Sequence, residues 1–258
     1  MENQKETIEK NPIQVADRLF QTLEALSSFG PIGLTELSNT LQLNKSTVHR
    51  ILNSLIFMGY AKQDDATAKY SLTFKIWDIA NQLLTHIDII DIAKPHLRKL
   101  AELSGETVHL VQIDGVRAVY IDKVESYHNS VRLVSKVGSR IPLYCSGVGK
   151  ALLAEMSPAQ VEWIWKESDV KKLTQHTVTD FSVLGGYLQQ IKKNGYALDN
   201  EENELGVRCI AACIKDYKGN PKYAFSISAP ISRMSDARIQ ELSAYVLQTQ
   251  KDLEAEWN

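Results

Sequence analysis

Two short apolar stripes joined by a polar turn, within residues 34–59, restrict the fold of this chain more than any other feature. In the first stripe Leu37 and Leu41 lie four residues apart. The second stripe repeats at intervals of three and four residues and consists of Val48, Ile51, Leu52 and Leu55. This spacing is that of one face of an α-helix. The stretch therefore predicts two helices packed as a hairpin, with Thr35 and Asn44 as their N-caps.

Folding the two stripes together leaves one face of the second helix pointing outward. Its polar residues are Lys45, Ser46, Thr47, His49, Arg50 and Asn53. Residues 44–63 include no acidic residue, as a surface that lies against phosphates and base edges requires. We therefore predict that these side chains bind double-stranded DNA. The alternative is an ordinary helical hairpin with a solvated face, because short motifs give false matches.

The residues on either side of the hairpin favour DNA binding. Residues 60–63 and 69–72 are short strand-like runs around a polar turn, which is typical of a two-stranded wing after a recognition helix. Upstream, residues 13–29 predict a third helix. Its apolar stripe consists of Val15, Leu19, Leu23 and Leu26. Together these elements predict a winged helix-turn-helix.

Length and composition limit the remaining possibilities. The 258 residues allow two domains, and 44% hydrophobic with 23% charged residues is typical of a globular protein. No stretch has the apolar length of a membrane span and the first residues are polar, so we expect a cytoplasmic protein. The net charge of −2 means that DNA contacts must come from a local patch. Cys145, Cys209 and Cys213 lack Cys-x-x-Cys spacing, so we predict no disulfide, metal site or cofactor.

After the wing, residues 74–86 have apolar residues at helical spacing and predict a linker helix. Its surplus of apolar surface, including Trp77, either contacts a partner subunit or packs on its own domain. Residues 87–104 predict a second helix that starts near Pro95 or bends there.

The pattern then changes to a mixture of strands and helices. Period-two alternation predicts strands at 107–115, 117–125, 131–138, 207–216 and 222–229. Helices are predicted within 142–156, from 157 onward, at 183–194 and at 235–257. Helices packed against an antiparallel sheet make the second half an α+β domain.

Three motifs carry a family resemblance. The segments KSTVHRIL, PLYCSGVGKALLA and GYALDNEENELGVRCIAACI resemble, in this order, the IclR family of bacterial transcriptional regulators. KYSLTFKIWDIA, PLYCS and DNEENELGVRCIA further resemble the subgroup that contains the regulator of 2-keto-3-deoxygluconate metabolism. The resemblance implies a winged helix-turn-helix at 1–73, a linker helix at 74–88 and a GAF-like α+β effector-binding domain at 89–258. It also implies palindromic operators, a dimer or pair of dimers, and small effectors, usually carboxylates.

The segment around Gly147 and Val148 is a candidate anion site. It does not have P-loop spacing, because Tyr144 and Ala151 stand where that motif needs glycine and Ser or Thr. We predict instead that a helix begins here and that its free backbone amides bind an anion. The alternative is a tight strand-to-helix turn in which glycine is needed for packing.

Four further residues complete the predicted effector site. The resemblance places Asp199 at the position that meets the ligand, and Cys209 lies on a neighbouring predicted strand. Ser226 and Ser228 alternate on one face of another strand, offering hydroxyl groups and space. The alternative is that these small residues simply pack beneath a helix.

We expect a repressor controlled by a hydroxylated or keto carboxylate, such as 2-keto-3-deoxygluconate. Its carboxylate would lie between Gly147 and Ser228, without a buried cation, and Asp199 would accept from hydroxyl groups at the far end. Cys209 would line the floor of the effector pocket.

Two other classes of function are possible alternatives. One is a cysteine-dependent enzyme that uses Cys209, His109 and Asp199, and the other is a protein-interaction module.

Overall fold

The computed structural model of the chain describes residues 11, 13–84, 88–125 and 135–257. It forms two compact units, Met1–His86 and Ile87–Asn258. In the part that is described, no helix is both long and apolar enough to cross a membrane.

Three helices form the core of the first unit. They are α1 (Gln14–Phe29), α2 (Leu34–Leu41) and α3 (Lys45–Phe57). Leu26 of α1, Leu37 of α2 and Leu52 of α3 are almost fully buried against one another. The predicted stripes thus form the core, except that Val15 at the start of α1 is 66% exposed.

One of the two predicted N-caps, Thr35, differs from the structure, whereas Asn44 lies at the predicted position. Helix α2 begins after Gly33, whose extended backbone accepts a hydrogen bond from the N–H of Leu37, so Thr35 lies inside the first turn. Asn44 occupies the N-cap position of α3, but its side chain makes no capping bond. Capping residue types and apolar spacing located the helix starts to within about one turn, because a helix can begin after an extended residue without a capping side chain.

A two-stranded wing follows α3. Strands β1 (Ala61–Gln63) and β2 (Tyr70–Leu72) pair antiparallel. The carboxylate of Asp64 accepts hydrogen bonds of 2.8 Å from both the N–H and the hydroxyl of Thr67, which closes the turn between the strands. Helix α4 (Lys75–Leu84) completes this unit. The first unit is a winged helix-turn-helix.

The second unit is an α+β domain. Its helices are α5 (Asp88–Ser104), α6 (Gly147–Ala154), α7 (Pro158–Glu167), α8 (Phe181–Asn194) and α9 (Asp236–Trp257). Its strands are β3 (Thr107–Asp114), β4 (Arg117–Val124), β5 (Arg140–Pro142), β6 (Ala197–Asn200), β7 (Val207–Lys215) and β8 (Pro221–Pro230). Helix α5 begins at Asp88 and continues through Pro95. The predicted start near this proline is therefore wrong.

The six strands form one antiparallel sheet in the order β5-β4-β3-β8-β7-β6. Helices α5 and α9 cover one face, where the side chains of Leu110, Ile210 and Phe225 are buried. Helix α6 covers the other face, where Ala211 and Ala224 are buried. Small residues on that face allow the helix to approach the sheet closely.

The predicted strand at 131–138 is not present in its described part, residues 135–138. Residues 131–134 lie outside the described residues, and Val137 and Gly138 form a turn. The N–H of Gly138 donates to the carbonyl of Tyr120, and strand β5 begins only at Arg140. Gly138 has a φ of 88°, which interrupts a strand that alternation alone would continue.

Candidate functional sites

The polar face of α3 lies on the surface of the first unit. Lys45, His49 and Arg50 are exposed, as are Ser46 and Asn53, while Thr47 is half-buried. The opposite side of the helix is held by the buried residues Val48, Ile51, Leu52 and Leu55. The predicted face is therefore presented by a helix whose orientation is set by the core.

The wing adds two exposed lysines, Lys62 and Lys69, on strand β1 and beside β2. The segment from α3 to the end of β1 has no acidic residue. The turn of the wing also carries Asp64 and Asp65, so the wing has no net charge. A cationic helix face beside the two wing lysines is suited to contacts with both base edges and phosphates.

A cavity of about 240 Å³ lies in the second unit. It opens beside the sheet face that also carries α6. Its polar lining includes His109, Tyr120, Arg140, Asp199, Cys209 and Ser228. Strand register explains the grouping, because Cys209 pairs with Asp199 on one side and with Ser228 on the other. Residues far apart in the sequence are thus brought into one row.

Asp199 is the most buried carboxyl group in this cavity, at 3% exposure. Its Oδ1 accepts hydrogen bonds from the N–H of Glu202 at 2.8 Å and of Asn203 at 3.4 Å. Burial nevertheless raises the pKa of Asp199 to about 7. Near neutral pH this group is therefore partly protonated, and it can donate as well as accept a hydrogen bond.

His109 is also buried, and its Nε2 lies 2.6 Å from the hydroxyl of Ser135. Burial lowers the pKa of His109 to about 3. Burial raises the pKa of the Cys209 thiol above its usual range. The two groups line the same cavity, but a nucleophilic cysteine requires a thiolate beside an imidazolium, and both groups are neutral here.

The two predicted serines differ in position. Their hydroxyl oxygens lie 3.3 Å apart, and both residues are 4% exposed. Ser228 lines the cavity, whereas Ser226 does not. Ser226 is therefore placed to contact Ser228 rather than a ligand in the cavity.

Gly147 and Val148 begin α6 but do not line the cavity. A Cβ on Gly147 would lie 3.4 Å from Cβ of Ala211 and 3.5 Å from the backbone nitrogen of Asp199. Gly147 and Asp199 are therefore neighbours, and the predicted placement of Asp199 at the far end of the pocket is wrong. The participation of the two α6 residues in effector binding stays a prediction.

The cap of α6 is made by Ser146. Its hydroxyl accepts a hydrogen bond of 3.1 Å from the N–H of Gly149 and donates to the carbonyl of Pro142. A Cβ on Gly149 would lie 2.3 Å from Cα of Leu143, so this glycine is required for packing. The alternative prediction for this segment, a tight strand-to-helix turn in which glycine is needed for packing, therefore applies to Gly149.

Sequence reasoning missed Lys150. This residue is 2% exposed, and its ammonium group forms an ion pair with the buried carboxylate of Glu202. A buried cation therefore lies one turn into α6, where none was expected. A lysine inside the otherwise apolar run VGKALLA was the signal that could have indicated it. Among the described residues, no cluster of three or more potential ligand side chains can hold a metal ion.

Two known domains match this chain. The IclR helix-turn-helix domain matches residues 15–65. The domain described as bacterial transcriptional regulator IclR C-terminal matches residues 81–255. This chain belongs to the IclR family.

Curated relatives in this family have similar lengths. The HTH-type transcriptional regulator KdgR of Escherichia coli is 38% identical over 92% of this chain and 90% of its own length. BhcR of Paracoccus denitrificans is 34% identical over 93% of this chain and 86% of its own length. The transcriptional repressor IclR of Escherichia coli is 34% identical over 93% and 89%, respectively.

Solved structures of IclR proteins have the same fold. Thermotoga maritima IclR superimposes with a TM-score of 0.82 at 30% identity, covering 94% of this chain and 98% of that one. The C-terminal domain of Escherichia coli KdgR gives a TM-score of 0.60 at 35% identity, covering 66% and 98%. The chain is accordingly an IclR-type, DNA-binding transcriptional regulator, and the relatives named here are transcriptional regulators rather than enzymes.

Proposed function

We propose that this IclR-family regulator is a repressor whose operator binding is controlled by a small hydroxylated or keto carboxylate. The observation that carries the proposal is the cavity in which Asp199, Cys209 and Ser228 meet. Relatives named as repressors support the sign of regulation. The similarity to KdgR proteins favours 2-keto-3-deoxygluconate, with glyoxylate and pyruvate as smaller candidates.

The polar groups lining the cavity are compatible with an acidic ligand. The charged lining residues are Arg140, Asp199 and the exposed Glu204, and the exposed side chain of Arg140 also pairs with Asp114. Ser228 and the neutral imidazole of His109 add uncharged groups that can form hydrogen bonds. Because the pKa of Asp199 is about 7, this group in its protonated form does not repel a carboxylate. We expect the carboxylate near Arg140 and Ser228, and the ligand's hydroxyl groups near Asp199.

DNA recognition is proposed for the exposed face of α3. Lys45, Ser46, Thr47, His49, Arg50 and Asn53 would supply the contacts. One winged helix reads few base pairs, so a two-fold pair on a palindromic operator is expected. Helix α4 is the proposed subunit contact, because Trp77 on this helix and Phe74 directly before it are 64% and 85% exposed. We also propose the domain boundaries stated above. They are 1–73 for the winged helix-turn-helix, 74–88 for the linker helix and 89–258 for the effector-binding domain.

The oligomer is tested with Trp77→Ala. We expect loss of dimers in analytical ultracentrifugation and weaker binding to a full palindrome, because a large apolar contact is removed. Trp163→Ala is a matched control, since Trp163 is 54% exposed on α7. Unchanged assembly of the Trp77 variant would exclude α4 as the main contact.

The effector is tested by calorimetric titration of the full-length protein with 2-keto-3-deoxygluconate, glyoxylate and pyruvate. Ser228→Ala should weaken every acid that binds. Asp199→Asn should weaken the hydroxylated acid more than pyruvate, because pyruvate has no hydroxyl group to pair with it. Failure of all three acids to bind, or equal effects of Asp199→Asn on all of them, would refute the proposed pocket.

A further inference from the structure

A second recess lies at the edge of the sheet, where α8 runs beside β6, the last strand. Its volume is about 250 Å³. The floor is the buried ion pair between Lys150 and Glu202. The rim is exposed and polar, and it consists of Tyr187, Gln190, Asn194 and Asn200. None of these residues lines the first cavity.

Two buried polar atoms on residues of this recess have no hydrogen-bond partner within the described part of the chain. They are Oε2 of Glu202, an acceptor, and Nε of Arg208, a donor. Buried polar groups are almost always hydrogen-bonded, so two such atoms at one recess are unusual. The guanidinium of Arg208 also contacts Met234 and Asp236 beside the start of α9, whereas the carboxylate of Glu202 contacts Lys150 of α6. The two atoms therefore need separate partners, and a molecule with several hydroxyl groups can both donate to Glu202 and accept from Arg208.

The charges at the recess are already compensated. Lys150 pairs with Glu202, and Arg208 donates to the carboxylate of Asp236 at 2.7 Å. An acidic or basic ligand would therefore add an unpaired charge beside two existing pairs. The rim amides carry both donors and acceptors. The ring of Tyr187 already has Nζ of Lys150 over it, 5.4 Å from its centroid, which leaves its opposite face for a ligand.

We propose that this recess binds a small neutral polyhydroxylated molecule, a polyol or a monosaccharide, and that its occupancy is coupled to the first cavity. The volume admits a molecule of that size. The first cavity differs because its described lining contains no buried ion pair of this kind, and its cation, Arg140, pairs with Asp114 at the surface.

The turn at residues 199–202 couples the recess to the first cavity. The backbone N–H of Glu202 donates to Oδ1 of Asp199 at 2.8 Å, so the floor of the recess and the wall of the first cavity share a hydrogen bond. The carbonyl of Glu202 accepts from the hydroxyl of Thr177 at 2.6 Å. A ligand that engages the carboxylate of Glu202 thus changes the environment of Asp199, and the effect is reciprocal.

The direct test is titration of the full-length protein with myo-inositol, D-glucose and D-xylose, followed by calorimetry and saturation-transfer NMR. At least one of them should bind. The double substitution Gln190→Ala, Asn194→Ala should weaken binding about tenfold. Gln189→Ala, on the same helix but outside the recess, should leave it unchanged, and so should Ser228→Ala in the first cavity.

Absence of binding for all three compounds would overturn the proposal. Binding that Ser228→Ala abolishes would also overturn it, because the ligand would then occupy the first cavity. The coupling is read separately by ¹³C NMR titration of the Asp199 carboxyl, assigned by its loss in Asp199→Asn. The bound polyol or sugar should shift the titration midpoint, and an unchanged midpoint would refute the coupling.

Discussion

Replacing Asp199 with asparagine should remove a specific pH dependence of stability from the second unit. The pKa of this carboxyl is raised from 3.8 to about 7, mainly by burial. Between these values the folded protein holds a proton that the unfolded chain has released. The free energy of unfolding therefore falls as the pH rises, whereas below 3.8 the contribution is fully present.

The size of the effect follows from the same linkage. One proton of difference changes the free energy of unfolding by about 1.4 kcal/mol per pH unit. From about pH 5 to about pH 6.5, the wild type should lose about 2 kcal/mol relative to Asp199→Asn. Above about pH 8, one unit over the folded-state pKa of about 7, the difference between the two proteins should become constant, because Asp199 is then ionised in both folded and unfolded states.

The assay is denaturant unfolding of both full-length proteins across this pH range, followed by tryptophan fluorescence. Trp163 and Trp165 on α7 report on the second unit. Asp216→Asn is the matched control, because hydrogen bonds from Asn220 lower the pKa of this exposed carboxyl. The contribution of Asp216 to the free energy of unfolding is therefore present above pH 3.8, the ordinary pKa of an aspartate, and is lost only at lower pH. Equal pH slopes for wild type and Asp199→Asn would refute the reasoning.

The other predictions concern DNA contacts and packing. Arg50→Ala should cost about 1–3 kcal/mol on the specific operator and relax selectivity at one base pair, whereas Lys45→Ala should weaken all DNA alike and lower the salt slope by about one, both measured by fluorescence anisotropy. Equal losses for Arg50→Ala on operator and random DNA would contradict a base contact. Gly149→Ala should destabilise by about 1–3 kcal/mol because its Cβ would overlap backbone atoms of Leu143, while Gly186→Ala, with open space around it, should not destabilise in thermal denaturation. Similar melting temperatures for the two glycine variants would show that the α6 packing argument is wrong.

Local sequence patterns were sufficient for the winged helix and most elements of the second unit. The apolar spacing that predicted α2 and α3 reflects a helical period that any soluble helix must satisfy when one face is buried. The exposed face of Lys45 and Arg50 follows directly from that stripe. Patterns failed where a turn or cap depends on the backbone, as at Gly33 and Gly138.

The composition of the first cavity required the tertiary structure. Asp199, Cys209 and Ser228 were identified from a resemblance and from strand alternation, but the sequence did not group them with Tyr120 and Arg140. Strand order and register bring these residues together, and neither follows from local periodicity.

Burial likewise belongs to the folded state alone. The sequence identified Asp199 as an ionised acceptor and indicated no buried cation in α6. Desolvation raises the pKa of that carboxyl, and packing of α6 on the sheet encloses Lys150 with Glu202. The sequence by itself determined most of the helices and the long strands, because those preferences are local. The protonation and pairing of these groups depend on how much water the surrounding elements exclude, and only the assembled fold decides that.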